Sequence, residues 1–234
     1  AWFLLKNREQ ALARKSIKIA CIFGAASLLL LIFSGDGSAY NVAKVQPMKL
    51  AAMEGLYDGE KGAGLVAFGI LNPDKEVCEE PDVAEDPFVF KIAFPKVLSI
   101  LATRELDGFV PGINDIIRGG YEFTDREGNT YIEPSFEQKK AQGTLAVNAL
   151  KDFQTAKAAG DETAMAQAQE VLEANFDYFG YHYIEEAEDL VPNVAITFYA
   201  FHIMVTLGMF FFLVFGLFFW FERKNQLEGK RWLL

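Results

Sequence analysis

Two uncharged apolar runs divide the chain. Residues 19–33 carry no charge, and residues 194–221 carry no Asp, Glu, Lys or Arg and are dense in phenylalanine. A membrane span needs roughly 20 mainly apolar residues. The second run is ample, and the first reaches that length once Ile17 and Lys18 are included, the lysine snorkelling its ammonium outward. The pattern predicts transmembrane helices over 17–34 and 192–221. Between them lies a long polar segment, 35–191, with short apolar runs.

Charge orients this arrangement. Lys6, Arg8, Arg14, Lys15 and Lys18 stand against Glu9 before the first run. Arg223, Lys224, Lys230 and Arg231 stand against Glu222 and Glu228 after the second. These ends carry net charges of +4 and +2 within a chain of −10, which leaves −16 for the residues between them. The positive-inside rule makes 1–16 and 222–234 cytoplasmic connections and puts 35–191 on the outer side. Such an acidic segment excludes a nucleic acid or other polyanion as partner. The opening Ala1-Trp-Phe-Leu-Leu5 has neither the basic start nor the cleavage site of a signal peptide. It reads as the tail of a preceding helix, and the chain as a fragment. Cys21 falls in the first span and Cys78 in the outer segment, so both are expected as unpaired thiols.

The outer segment reads as three parts. Residues 36–58 hold a polar motif and break at Asp58-Gly-Glu-Lys-Gly-Ala-Gly64. Residues 65–134 mix apolar runs with turn signals and are expected to be irregular. The exception is a short hairpin in which Tyr121, Phe123, Tyr131 and Ile132 flank Glu127-Gly128-Asn129. From 135 to about 177 the sequence predicts a helical hairpin. Ser135 and Gln138 have capping-box spacing, Gly160 suits a helix end, and Asp161 caps the second helix. With few large apolar residues, this hairpin must lean on a neighbour or stay mobile. The acidic cluster at 185–189 is a solvated charge run. The fold class is therefore mainly α: a membrane-protein fragment with two transmembrane helices enclosing a long, mostly helical and irregular outer loop.

The polar motif is Gln46-Pro-Met-Lys-Leu-Ala-Ala-Met-Glu54. As a helix opened by Pro47, it gathers Lys49, Leu50, Met53, Glu54 and Tyr57 within an arc of roughly 140°, with Ala51, Ala52 and Gly55 opposite. Spacing alone makes Lys49 and Glu54 an ordinary exposed pair, since such pairs are common and weak.

Taken with Gly35-Asp-Gly-Ser-Ala-Tyr40 before it, the motif closely resembles the quinol-binding loop of subunit I of the cytochrome bd quinol oxidases. Phe68-Gly-Ile70, Ala102-Thr-Arg104, Pro192-Asn-Val-Ala195 and Lys230-Arg-Trp-Leu-Leu234 follow in the family's order. The resemblance implies a subunit of a bacterial cytoplasmic-membrane enzyme that oxidises quinol at the outer face and reduces oxygen to water. Such an enzyme sustains a proton motive force. It implies catalytic roles for Lys49 and Glu54, with Gln46, Asp36 and Tyr40 beside them in the pocket. It implies that Met204, in Phe201-His-Ile-Met204, ligates the low-spin haem b.

His202 stands where family members carry arginine. Two residues of helix turn by about 200°, so His202 and Met204 do not face one iron, and His202 is expected to donate to a haem propionate or a neighbouring helix. His182 is expected to be a packed loop residue. The high-spin haem b and haem d that the family carries need ligands this chain lacks, and the fragment alone is expected to be inactive. Implied partners are the rest of subunit I, subunit II, ubiquinol or menaquinol, oxygen and the lipid bilayer. The reading from another class is a two-span membrane receptor or sensor with an acidic, self-contained outer ligand-binding domain.

Overall fold

Both apolar runs are helices whose surfaces are largely uncovered among the described residues. The computed structural model describes residues 2–6, 8–77, 86–224 and 226. Cys78, the opening Ala1 and the closing Lys230-Arg-Trp-Leu-Leu234 lie outside the described residues. In the helical stretches Gln10–Val45 and Ala187–Arg223 the most apolar 18-residue windows reach a mean hydropathy of 2.3 and 2.4, yet only 6% and 0% of those windows are buried. A soluble core helix of that hydropathy would be covered, so lipid is the solvent these surfaces fit.

Two compact units result, Ala1–Ala39 with Tyr199–Leu234, and Tyr40–Phe198. The first contains the short helix α1 (Trp2–Leu5) and most of α2 (Gln10–Val45). Here Leu4 and Ala13 are buried against Ile17, Phe218 and Phe221. Gly24 lies against the ring of Phe215, 2.6 Å from where a Cβ would stand. Close helix contact through a small residue is the usual packing device between apolar helices. Cys21 is a buried free thiol.

In the second unit α2 runs on to Val45, past the predicted span. It stops because the residue before a proline is pushed out of helical conformation: Gln46 has φ −138° and ψ 61°, and Pro47 opens α3 (Pro47–Glu54). Strand β1 (Glu60–Lys61), β2 (Leu65–Leu71), β3 (Phe88–Phe94), α4 (Val97–Thr103), β4 (Phe109–Val110) and α5 (Ile113–Arg118) follow. The region expected to be irregular is thus partly ordered as strands. β2 and β3 pair antiparallel with register shifts, and β1 pairs with β4. The regular alternation that would have announced β2 and β3 is absent. Phe68, Ile70, Phe90, Ile92 and Phe94 are all exposed, so their apolar character does not mark a covered face.

The expected short hairpin is present as β5 (Glu122–Thr124) and β6 (Thr130–Ile132). The Asp125 carboxylate closes its turn by accepting from the Asn129 backbone and side-chain N–H groups at 2.8 and 2.9 Å. The helical hairpin is α6 (Phe136–Ala159) and α7 (Glu162–Asn175). Ser135 and Gln138 make the predicted reciprocal cap, Gly160 ends α6 with φ +73°, and Asp161 accepts from Thr163 and Ala164. Its neighbour is the 3-10 turn Phe176–Tyr183, which crosses α6 at Gly143, where a Cβ would collide with the Tyr178 carbonyl. His182 packs there as expected, its Nδ1 3.0 Å from the Thr144 hydroxyl. A second 3-10 turn, Ala187–Leu190, leads to α8 (Val194–Arg223).

The unit's core joins Ala51 and Ala52 of α3 to Ile113, Ile116 and Ile117 of α5, Tyr57, Phe136 and Val194. The small residues Ala51 and Ala52 pack as their sequence predicts, but Leu50, Glu54 and Tyr57 of the opposite arc are buried as well, so only part of that arc stays open.

Candidate functional site

Helix α3 is fixed at both ends. At its start, Pro47 sets the bend after α2. At its end Gly55 takes φ +64°, a left-handed conformation that costs other residues about 1–2 kcal/mol. The turn beyond is sewn to α5: Ile113 N–H donates to the Leu56 carbonyl at 3.0 Å and Asn114 N–H to that of Tyr57 at 2.8 Å. The Asp115 carboxylate accepts from Gly59 N–H at 2.5 Å and Gly112 N–H at 3.0 Å. Position 55 also lacks room, since a Cβ would stand 2.9 Å from the Phe88 ring and 3.0 Å from Leu71. Gly55→Ala is expected to destabilise the unit by about 2 kcal/mol or more, combining conformational strain with overpacking. The measurement is the thermal inactivation midpoint of the assembled protein, and an unchanged midpoint would contradict this account of α3.

Glu54 precedes that glycine and is only 2% exposed. The Val66 backbone N–H donates to its carboxyl group, while Oε2 has no partner among the described residues. Burial pushes its pKa up to about 7, with the Val66 hydrogen bond opposing the rise. Phe88 and Phe198, 5.6 Å apart ring to ring, pack with Val66 to form the adjoining apolar cluster.

Lys49 has the opposite setting. It is exposed, and its ammonium has no hydrogen-bond or ion-pair partner among the described residues. It lines an open cleft of about 1170 Å³ together with Gln46. Glu54 does not line this cleft. The helix therefore does not present Lys49 and Glu54 on one open face. They stand at the two edges of the predicted arc, and the Glu54 edge is closed over by β2.

Tyr40 lies half-buried on α2, outside the cleft lining. Its ring meets two cations, the Arg104 guanidinium at 4.9 Å and the Lys44 ammonium at 5.6 Å. Lys44 also donates to the Thr124 carbonyl at 2.7 Å. Asp36 is half-buried, four residues earlier on the same helix. On α8, His202 is half-buried with its ring edge-on to Phe201, and Met204 is 60% exposed. Among the described residues no group of three or more His, Cys, Asp or Glu is placed to hold a metal ion. The Met204 thioether is a soft neutral donor of the kind haem iron accepts, so its chemistry fits that group.

The sequence reading missed a polar group in the cleft wall. Lys139 of α6 is 3% exposed and pairs with Glu133, itself 12% exposed, at 2.6 Å. The Lys139 ammonium also lies 5.6 Å from the centre of the Tyr181 ring. Tyr131 donates to Glu133, and burial with the nearby carboxylate pushes the Tyr131 and Tyr181 hydroxyls above their usual range. A signal was available. Lys139 falls on the stripe Phe136, Lys139, Gly143, Ala146, Val147, whose other members are small or apolar and buried.

Residues 1–234 match the family described as cytochrome bd terminal oxidase subunit I. The chain is 31% identical over 235 residues to cytochrome bd-II ubiquinol oxidase subunit 1 of Escherichia coli strain K12, a match covering all of this chain and 43% of that protein. It is 32% identical over 135 residues to cytochrome bd ubiquinol oxidase subunit 1 of Bacillus subtilis strain 168, covering 57% of this chain and 26% of that one. The chain thus spans less than half the length of these relatives. The bd oxidase structure from Geobacillus thermodenitrificans aligns over 98% of this chain and 52% of that chain. Its 19% identity and TM-score of 0.36 are too low to place any side chain.

Proposed function

The chain belongs to the cytochrome bd terminal oxidase subunit I family, and on that premise we propose that it supplies the quinol-oxidising segment of a membrane quinol:oxygen oxidoreductase. The observation that carries this reading is the cleft lined by Lys49 and Gln46, with an exposed Lys49 ammonium that has no partner among the described residues. A quinol gives up two protons with its two electrons, and Glu54, a buried carboxyl with one unpartnered oxygen and a pKa near 7 that does not line the cleft, suits acceptance of one of them by relay, without contact with the headgroup. Lys49, five residues earlier and open to the cleft, donates a hydrogen bond to the headgroup oxygen on which negative charge grows. Gln46 lines the same cleft and adds a neutral donor and acceptor. Tyr40, outside the cleft lining, acts through the two cations on its ring, and the family resemblance adds Asp36 as a further candidate.

In the intact enzyme Met204 would hold a low-spin haem b, which when bound would supply one-electron acceptance for quinol oxidation. Met204 provides a soft neutral ligand that favours reduced iron. The second ligand, the high-spin haem b, the haem d and subunit II come from outside this chain. Residues 35–191 face the outer side of a bacterial cytoplasmic membrane, where proton release adds to the transmembrane potential, worth about 2.3 kcal/mol per charge per 100 mV.

A two-span receptor does not account for a family match over all 234 residues. The exposed side chains of Phe68, Phe90, Ile92 and Phe94 also suit a segment that packs against other parts of a larger membrane protein.

Lys49→Ala in the complete oxidase tests this reading. It is expected to lower kcat/KM for quinol by about 10²-fold, the usual cost of removing one positioned donor, with haem content unchanged. Quinol kinetics equal to the unsubstituted enzyme would return Lys49 to being a surface cation.

A further inference from the structure

A quinol headgroup carries two oxygens at opposite ends of one ring, and Lys49 serves only one of them. Glu54 does not line the cleft that Lys49 opens into. The polar residues that do line it, outside α3, include the buried pair Lys139 and Glu133 and Tyr131. Burying an ammonium and a carboxylate is costly, and the pair gains little over apolar packing as a stability device alone. Lys139 is also the charged member of an otherwise apolar or small-residue stripe on α6.

An ammonium has three donors. Glu133 holds Lys139 at 2.6 Å, and its other neighbour is the face of Tyr181, which accepts no conventional hydrogen bond at 5.6 Å. Donor capacity therefore remains in a desolvated wall, where a hydrogen bond to a ligand oxygen is worth more than in water. Tyr131, Tyr178 and Tyr181 line the same cleft and supply aromatic surface for a flat ring.

We infer that the cleft opened by Gln46 and Lys49 takes the quinol headgroup, and that Lys139, held in place by Glu133, is its second anchor, donating to the headgroup oxygen remote from Lys49. This rests on the reading of the Lys49 loop as the quinol site. Lys139 binds the reduced and oxidised headgroups alike, since both present an oxygen at that end. Its contribution therefore falls on affinity.

The test is saturation kinetics of the complete oxidase with a short-chain quinol, together with product inhibition by the matching quinone. Lys139→Met is expected to raise both KM and the quinone inhibition constant about tenfold, with the loss in kcat/KM falling in KM. Glu133→Gln, which frees the ammonium from its holder, is expected to shift both constants in the same direction by a smaller factor. A role confined to holding α6 against β6 would lower stability and haem retention while leaving both constants alone.

Should Lys139→Met fail to assemble, Lys139→Arg decides. It keeps the charge and the pair but changes the donor geometry, so a raised KM supports the second anchor and an unchanged KM overturns it. Lys49→Ala measured in parallel separates the two ideas. Impaired quinol oxidation in Lys49→Ala with unchanged KM in the Lys139 variants removes only the second anchor. Unchanged kinetics in Lys49→Ala removes the quinol assignment of the loop and the anchor with it.

Discussion

Glu54→Gln in the complete oxidase is expected to lower quinol-dependent turnover by about 10²-fold or more, within the range for loss of a positioned acid-base group, while the haem spectra remain those of the unsubstituted enzyme. Glutamine fills the same volume and can accept from Val66 N–H, so the packing of α3 survives. What it lacks is a basic oxygen. The pH dependence should differ too. With burial pushing the Glu54 pKa up to about 7, the proton-accepting form grows in as pH rises through neutrality, and turnover should rise with it and then level off. In Glu54→Gln the residual turnover should lose that limb. Normal turnover in the glutamine enzyme would remove Glu54 from the chemistry.

The same carboxyl links pH to stability in the opposite direction. Its folded pKa, about 7, lies above the value of an exposed glutamate. The stabilisation is thus fully present below about pH 4.3 and is lost as pH rises through neutrality. That difference is on the order of 3 kcal/mol for a shift from 4.5 to about 7. The form needed to take a proton is thus the form that burial disfavours, a tension common where a carboxyl is tuned for catalysis.

How far the site can be read from sequence depends on whether local or distant contacts set each feature. Ser135, Gln138, Gly160 and Asp161 act within one helical turn of themselves, and the helices they bound stand where their spacing puts them. Ala51 and Ala52 pack as small residues should, because the face of a helix is fixed by its own period. The burial of Glu54 was not legible, because its carboxyl is held by the Val66 backbone of β2, and Val66 is packed in turn with Phe88 of β3 and Phe198, distant in sequence. β2 and β3 escaped notice for a related reason: residues such as Phe90 and Ile92 are apolar yet exposed among the described residues. Lys139 was legible in retrospect as a charge on a stripe of small and apolar residues, but its carboxylate partner, Glu133, lies in the connection between β6 and α6. The role proposed for Met204 rests on family likeness, since a methionine in a phenylalanine-rich helix is otherwise ordinary filler.

Met204→Leu should abolish the low-spin haem b spectrum of the complete oxidase, because leucine fills the same space without a lone pair for iron. The position is suited to this test. Met204 is 60% exposed on α8, so the substitution leaves no cavity in the packing of this chain and the effect is not a folding defect. Quinol-dependent oxygen uptake should fall with the spectrum. Met204→His sharpens the argument: an imidazole keeps a strong axial ligand, so the low-spin spectrum should return, but the reduction potential should drop because the thioether's preference for reduced iron is lost. His202→Arg, which installs the arginine that the family resemblance implies about 200° around the helix from Met204, should leave the low-spin spectrum in place and move its potential alone, since a permanent charge replaces an imidazole. An intact low-spin spectrum in Met204→Leu would mean that the iron takes its ligand from another residue, and α8 would then be a membrane anchor for the quinol loop without a direct part in electron transfer.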